Sequence, residues 1–225
     1  MRRITHIATI AAACCAVGLA GCGSGEDDRE VVVGQGSELF PAESMRDRKS
    51  YADHLAVYRV VGERAVTDAS DQERGEGAVG RVVELAVEKV LWSAKGAPEL
   101  PATIEMKTLG WALHDGKRIP YVTDEGPQMT VGDRFLSPLV QVNFGSGDQW
   151  WPLTYGSQMP VANGTAVRAW TGVSRAVAGK TPAAIAEQLR VTQPDPVAAR
   201  FQGLRPQKRI EAVQLEGSDV PAEGP

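Results

Sequence analysis

The sequence predicts a mainly β protein, a small antiparallel barrel or a sandwich with one or two short C-terminal helices. Three observations predict it. From about residue 51 to 175 the chain is a succession of β-branched, apolar runs separated by polar or glycine-bearing loops, the pattern of strands joined by turns. No β-α-β alternation appears, so a parallel sheet is not expected. The helix-start signals that carry a proline, Thr181-Pro182 and Asp195-Pro196, both fall after that region.

Each element follows from its residues. HLAVYRVVGERAV (54–66) is β-branched and apolar, interrupted at Gly62, and DASDQERGEG (68–77) is a polar loop. AVGRVVELAVEKVLW (78–92) admits two periods. Val83, Leu85, Val87 and Lys89 fit a strand, while Val83, Val87, Val90 and Leu91 fit a helix. The preceding glycines and the β-branched content favour one long strand. ATIEMKTLGWAL (102–113) places Ile104, Met106 and Thr108 on one face. His114-Asp115-Gly116-Lys117 follows, and Asp-Gly between strand-like flanks signals a type I′ hairpin. VGDRFLSPLVQVNF (131–144) is a further strand in which Pro138 implies an edge or a bulge. QWWPLTY (149–155) and TAVRAWTGV (165–173) complete the set.

Thr181 can cap a helix with Pro182 in its first turn, burying Ile185 and Leu189. Asp195-Pro196 repeats the signal, with Val197 and Phe201 on one face and Gly203 as the stop. Residues 176–204 are thus expected to be short helices packed on the β domain. The polar stretch 205–225, with scattered proline and glycine, reads as a disordered tail.

The cysteines are Cys14, Cys15 and Cys22, all in the first 22 of 225 residues. The remainder cannot form an internal disulfide, and thiolate zinc sites are excluded there. Met1-Arg2-Arg3 precedes a mostly apolar stretch from Ile4 to Ala20, the layout of an export signal with a basic start and a small-residue cleavage region. The formal charge is −4. Loss of Arg2 and Arg3 with that segment makes the remainder still more acidic, which argues against nucleic acid as a partner.

Leu19-Ala20-Gly21-Cys22 closes the apolar stretch and resembles the lipobox of bacterial lipoproteins, an aliphatic residue and two small ones before the cysteine. The resemblance implies that Cys22 receives a diacylglycerol thioether and that a signal peptidase cuts before it, removing residues 1–21. It places the protein at the extracytoplasmic face of the cell membrane, held by covalent lipid. Two acyl chains suffice for stable anchoring where one does not. Residues 22–50, opening with Gly23-Ser24-Gly25 and the run Glu26-Asp27-Asp28-Arg29-Glu30, then read as a lipidated flexible tether. Abundant Ala, Val, Gly and Arg with little Lys, Asn and Ile point to a high-G+C, actinobacterial source.

Within the body, the run from Gly80 to Trp111 resembles OB-like and netrin-type β-barrel modules. Val87, Val90, Leu91 and Gly96 stand at the points of a long strand that leads through a proline-containing loop to the next. Residues 51–61 match the first strand of that pattern. The resemblance implies a fold and no activity.

Familiar chemistries find little support. Gly75-Glu76-Gly77-Ala78-Val79-Gly80 matches G-x-G-x-x-G, but a polar loop precedes it and a strand follows, the reverse of the dinucleotide context. Gly172-Val173-Ser174-Arg175-Ala176 is near the G-x-S-x-G nucleophile turn, which needs a parallel sheet and a downstream histidine. No histidine follows His114, and beyond the signal His54 is the other one. Both read as surface or turn residues, too few for catalytic zinc. No cofactor or metal site is expected. Asn163-Gly164-Thr165 matches a glycosylation sequon and is better read as an Asn-Gly turn.

Of the five tryptophans, Trp150 and Trp151 are adjacent. On a strand neighbours point to opposite faces, so one fills the core. The other looks outward, where it could stack on a sugar ring or anchor a partner; the favoured reading is that the C-terminal helices, which need an apolar surface to bury against, cover it. The expectation is a non-catalytic, lipid-anchored envelope protein that binds an envelope protein or wall polymer. The alternatives are a structural role docking to another envelope protein and a carboxylate-dependent, glycan-acting enzyme.

Overall fold

A computed structural model describes residues 32–33, 38–67, 77–122, 126–145, 147–167 and 170–218. The lipobox, Cys22 and the loop 68–76 lie outside the described residues.

The strands are β1 (Val32–Val33), β2 (His54–Thr67), β3 (Gly77–Ser93), β4 (Thr103–His114), β5 (Lys117–Val122), β6 (Arg134–Asn143), β7 (Asp148–Pro152), β8 (Met159–Ala162) and β9 (Thr165–Ala166). They form one sheet in the order β1-β5-β4-β3-β2-β6-β8-β9, with β7 also paired to β6. Every ladder is antiparallel except the short β1–β5 pair. The mainly β expectation is met. Three register shifts between β2 and β3 bend and twist the pair. The sheet curls until Ile104 and Met106 of β4 share a core with Trp150 of β7, around Tyr58, Leu85 and Phe135. No ladder joins β4 to β7 among the described residues, so the sheet stays open at that seam.

The strand reading of residues 78–92 holds because β3 has partners on both sides, β2 and β4. Val83 and Leu85 are fully buried while Glu84 between them is exposed. The strands β2 and β6 are apolar on both faces for a packing reason. Tyr58, Val60, Phe135 and Leu139 point into the curl. Leu55, Val57 and Leu136 meet a second core against helices.

Two hairpins carry positive φ at both central residues, as type I′ requires. Asp115 (49°) and Gly116 (72°) join β4 to β5, and Asn163 (49°) and Gly164 (79°) join β8 to β9. Pro138 is at neither an edge nor a bulge of β6. On its β7/β8 side, β6 pairs with β8 at Phe135–Leu136 and with β7 from Leu139 onward. Pro138 stands at the handover, where its carbonyl accepts from Leu153 N–H at 2.8 Å and its missing N–H leaves no partner orphaned.

The helices are α1 (Met45–Tyr51), α2 (Gly172–Val177), α3 (Pro182–Val191), α4 (Pro196–Arg200) and α5 (Pro206–Ser218). Thr181 caps α3 through the Ala184 N–H, and Ile185 and Leu189 are buried. Asp195 caps α4 through two N–H groups. None of the described helices is long and apolar enough to cross a membrane.

Four expectations are corrected. The tether does not extend to residue 50. Ser44 and Asp47 form a capping box that starts α1, and Phe40, Ala42 and Tyr51 are buried in a third core with Val140, Leu153 and Ile210. Second, 165–173 is not one strand: β9 is two residues long, and Thr171 caps α2 through the Ser174 N–H. Third, α4 ends at Arg200, and Ala198 is its buried residue rather than Val197. Fourth, residues 206–218 form α5 instead of fraying. Arg209, 6% exposed, donates to the carbonyls of Ser50, Phe201 (3.3 Å), Gln202 (3.2 Å) and Leu204 (2.9 Å). Those bonds pin α5 to α1 and to the turn after α4. In the sequence an arginine in a polar stretch gives no sign that it is buried.

Candidate functional site

Because Trp150 and Trp151 are consecutive on β7, the pleat separates them. Trp150 is 7% exposed and turns into the curl, where its ring lies 5.3 Å from that of His54. Trp151 turns outward. Phe144 and Tyr155 meet it edge-on, with ring centroids 5.7 and 6.4 Å away. The loop after β6 brings Phe144, and the 3-10 turn after β7 brings Tyr155.

The trio lines a groove of about 410 Å³ together with Phe40, Val140 and Leu153. Phe144 stands 56% exposed at its rim. The C-terminal helices reach the same core through Ala198 and Ile210, yet they leave this groove open. Its polar features are few. The Tyr155 N–H donates to Glu38 Oε1 at 2.8 Å. Burial, then the Glu38 carboxylate, pushes the Tyr155 phenol up to about 12. The Trp151 indole N–H is buried and has no acceptor among the described residues. A buried donor without a partner is uncommon and calls for an explanation.

A second cleft, about 470 Å³, runs along the open seam and is lined by Ile104, Glu105, Gln141, Asp148 and Trp150. It holds two carboxylates, but both are engaged. Arg64 pairs with Glu105 at 2.8 Å. Asp148 accepts from Asn143 (3.1 Å) and from Arg205 (2.9 Å). Those hydrogen bonds, Asn143's first, hold the Asp148 carboxyl below its ordinary value. A general acid needs the opposite shift.

His54 is not a surface residue. It is 4% exposed, with Nδ1 2.8 Å from Ser93 Oγ and Nε2 donating to the Pro98 carbonyl at 2.7 Å. It ties the start of β2 to the end of β3 and the loop beyond. His114 is exposed in the β4–β5 hairpin, as expected. Ser174 is buried and bonded to Arg48 and to the Gly156 carbonyl. Gly77 to Gly80 begin β3, while Gly75 and Glu76 lie outside the described residues. No group of three or more His, Cys, Asp or Glu residues is placed to hold a metal among the described residues.

The sequence reading missed the buried arginines Arg48, Arg81 and Arg209. It also missed the part of Phe40 and Tyr155 in the groove. The signal for α1 was present: Ser44 with Asp47 three residues on is a helix-start pattern.

Comparison of the chain with protein-family models, with curated proteins and with solved structures gives no match in any of the three.

Proposed function

We propose that this chain is a lipid-anchored protein of the extracytoplasmic membrane face whose β body binds rather than catalyses, with Trp151 as its principal contact. One observation carries the binding reading. The groove has aromatic and aliphatic walls, and the indole N–H of Trp151, one of its lining residues, is buried without an acceptor among the described residues. An apolar partner that brings one hydrogen-bond acceptor satisfies both features. The carboxylates of the seam cleft are tied up in ion pairs, which favours binding over acid–base chemistry. Anchoring rests on Leu19-Ala20-Gly21-Cys22 and the basic-then-apolar start before it. The strand order β4-β3-β2-β6-β7, open between its ends, is compatible with an OB-like barrel, and we keep that as part of the reading.

Two experiments test the two halves separately. Mass spectrometry of the purified N-terminus should find diacylglycerol on Cys22, and Cys22→Ser should leave an unprocessed precursor. A free thiol at Cys22 refutes the anchor. A photo-crosslinking residue at position 144 should capture an envelope component in intact cells, and Trp151→Ala should abolish that capture. Undiminished capture by the variant refutes the groove.

A further inference from the structure

Leu39 is 43% exposed and Phe144 56% exposed, and both line the Trp151 groove. Exposed apolar side chains are ordinary when scattered, whereas two on the rim of one aromatic groove make a patch. Trp151 and Tyr155 stand beside them in the groove wall, and such amphipathic rings settle at the level of lipid headgroups. The Phe144 and Tyr155 rings stand at 82° and 83° to that of Trp151. A corner between perpendicular rings presents ring faces, and a ring face attracts an organic cation. Glu38 is the one charged group in the groove wall among the described residues. Its carboxylate adds to that attraction and repels an anion.

The position of the groove along the chain says which surface is in reach. Val32 stands 10 positions after Cys22 and Leu39 stands 17 after it. At about 3.3–3.6 Å per residue, Val32 is at most about 36 Å from Cys22 and Leu39 at most about 61 Å, whatever path the chain takes. Val32 pairs with Tyr121, and Tyr121 shares a small cavity with Tyr155 of the groove. The chain therefore enters the body on the side of the groove, and a lipid on Cys22 keeps that side within reach of the bilayer. Two side chains of this kind would not hold a free protein on a membrane. For a tethered one the contact is intramolecular, and the effective concentration reaches about millimolar.

We propose that the groove docks on the bilayer that holds the protein's own anchor. Leu39 and Phe144 enter the boundary of the acyl chains, and the ammonium of a zwitterionic lipid headgroup lies against the Trp151, Phe144 and Tyr155 rings beside Glu38. The inference rests on the anchor and the groove proposed above and deepens them by naming the membrane surface as the partner.

The test uses the full chain, its N-terminus first characterised by mass, reconstituted into vesicles of phosphatidylcholine brominated high on the acyl chains. Bromine quenches tryptophan only near contact. The expected result is a loss of about a fifth of the emission against unbrominated vesicles, one tryptophan of five, and no loss in Trp151→Phe. Leu39→Ser combined with Phe144→Ser, both at exposed positions, should remove the loss with the circular dichroism unchanged. In brominated phosphatidylglycerol vesicles, whose anionic surface repels Glu38, the loss should be smaller by at least about twofold. Glu38→Gln, which keeps an acceptor for the Tyr155 N–H, should narrow that gap. No quenching of a chain that carries lipid on Cys22 overturns the docking and leaves the anchor standing. Undiminished quenching in Trp151→Phe, or equal quenching in the two lipids, overturns it as well. Capture of a protein at position 144 without quenching overturns it while the groove reading holds. A free thiol at Cys22 removes the anchor and the docking together.

Discussion

Replacing Gly110 by alanine tests how closely the backbones of β3 and β4 approach at the irregularity in their ladder. Val79 pairs with Trp111 and Arg81 with Thr108, so Leu109 and Gly110 together face Gly80. An added Cβ at Gly110 stands 2.1 Å from the Val79 carbonyl oxygen, 3.0 Å from Gly80 C and 3.1 Å from Arg81 N. Carbon–oxygen contacts settle at roughly 3.3–3.6 Å, so the strands must part by about 1 Å. Every obstructing atom is backbone, and β3 is held on its other side by β2, so no side chain can swing away. Overpacking costs about 1–3 kcal/mol, and one or two weakened ladder bonds add about 1 kcal/mol each. The sum is about 2–5 kcal/mol. Urea unfolding followed by tryptophan fluorescence reads it. With a slope of about 2 kcal/mol/M, the midpoint falls by about 1–2.5 M. Gly116→Ala is the control. Its Cβ meets nothing within 4 Å and only the φ of +72° is strained, a cost of about 1–2 kcal/mol. A Gly110→Ala midpoint within about 0.3 M of wild type, or a larger loss from Gly116→Ala, refutes the reasoning.

The same unfolding assay checks four other expectations. Trp150→Ala should cost about 3–5 kcal/mol, as for a core aromatic, and Trp151→Ala about 1–2 kcal/mol because the groove already exposes part of it; equal losses would contradict the two orientations. Arg209→Met removes the donor of four carbonyls and should cost about 2–4 kcal/mol, with α5 losing protection in hydrogen exchange. Arg48→Met should be neutral or stabilising by about 1–3 kcal/mol, since it removes a buried charge whose Nε and Nη1 have no acceptor among the described residues. Raising the pH above 10 should destabilise the protein. Burial holds the phenols of Tyr58 and Tyr155 above their ordinary value, so the unfolded chain loses its phenolic protons first. The stability is complete below about pH 10 and declines as pH rises toward the folded values; Tyr155→Phe should lessen the fall between pH 9 and 11.

What the sequence disclosed was local. The Asp115-Gly116 and Asn163-Gly164 turns, the Thr181 and Asp195 caps and the strand runs of β2, β3 and β6 each depend on residues within a few positions of one another. What it concealed was set by distant partners. Nothing in SMRDRKSY announces that Arg48 meets Ser174, or that Ser50 meets Arg209, across more than a hundred residues. Pro138 is legible as a missing donor, but only the neighbours of β6 decide that the gap falls between β7 and β8. The candidate site was half visible. Adjacent tryptophans on a strand must diverge, which singled out the pair, while only the packing shows that Trp150 is the inner one. Phe40, Phe144 and Tyr155 come to it from three separate segments, and no spacing links them.

The bond from Arg209 to the Ser50 carbonyl spans 159 positions, and it bears on how the body is assembled. A chain that emerges N-terminus first delivers α1 well before the arginine that seals it. Until then the Phe40 and Tyr51 rings lack the Ile210 side of their pocket, and closure waits on a long-range encounter that is slow by nature. A polypeptide arranged this way cannot close that core until α5 has joined it.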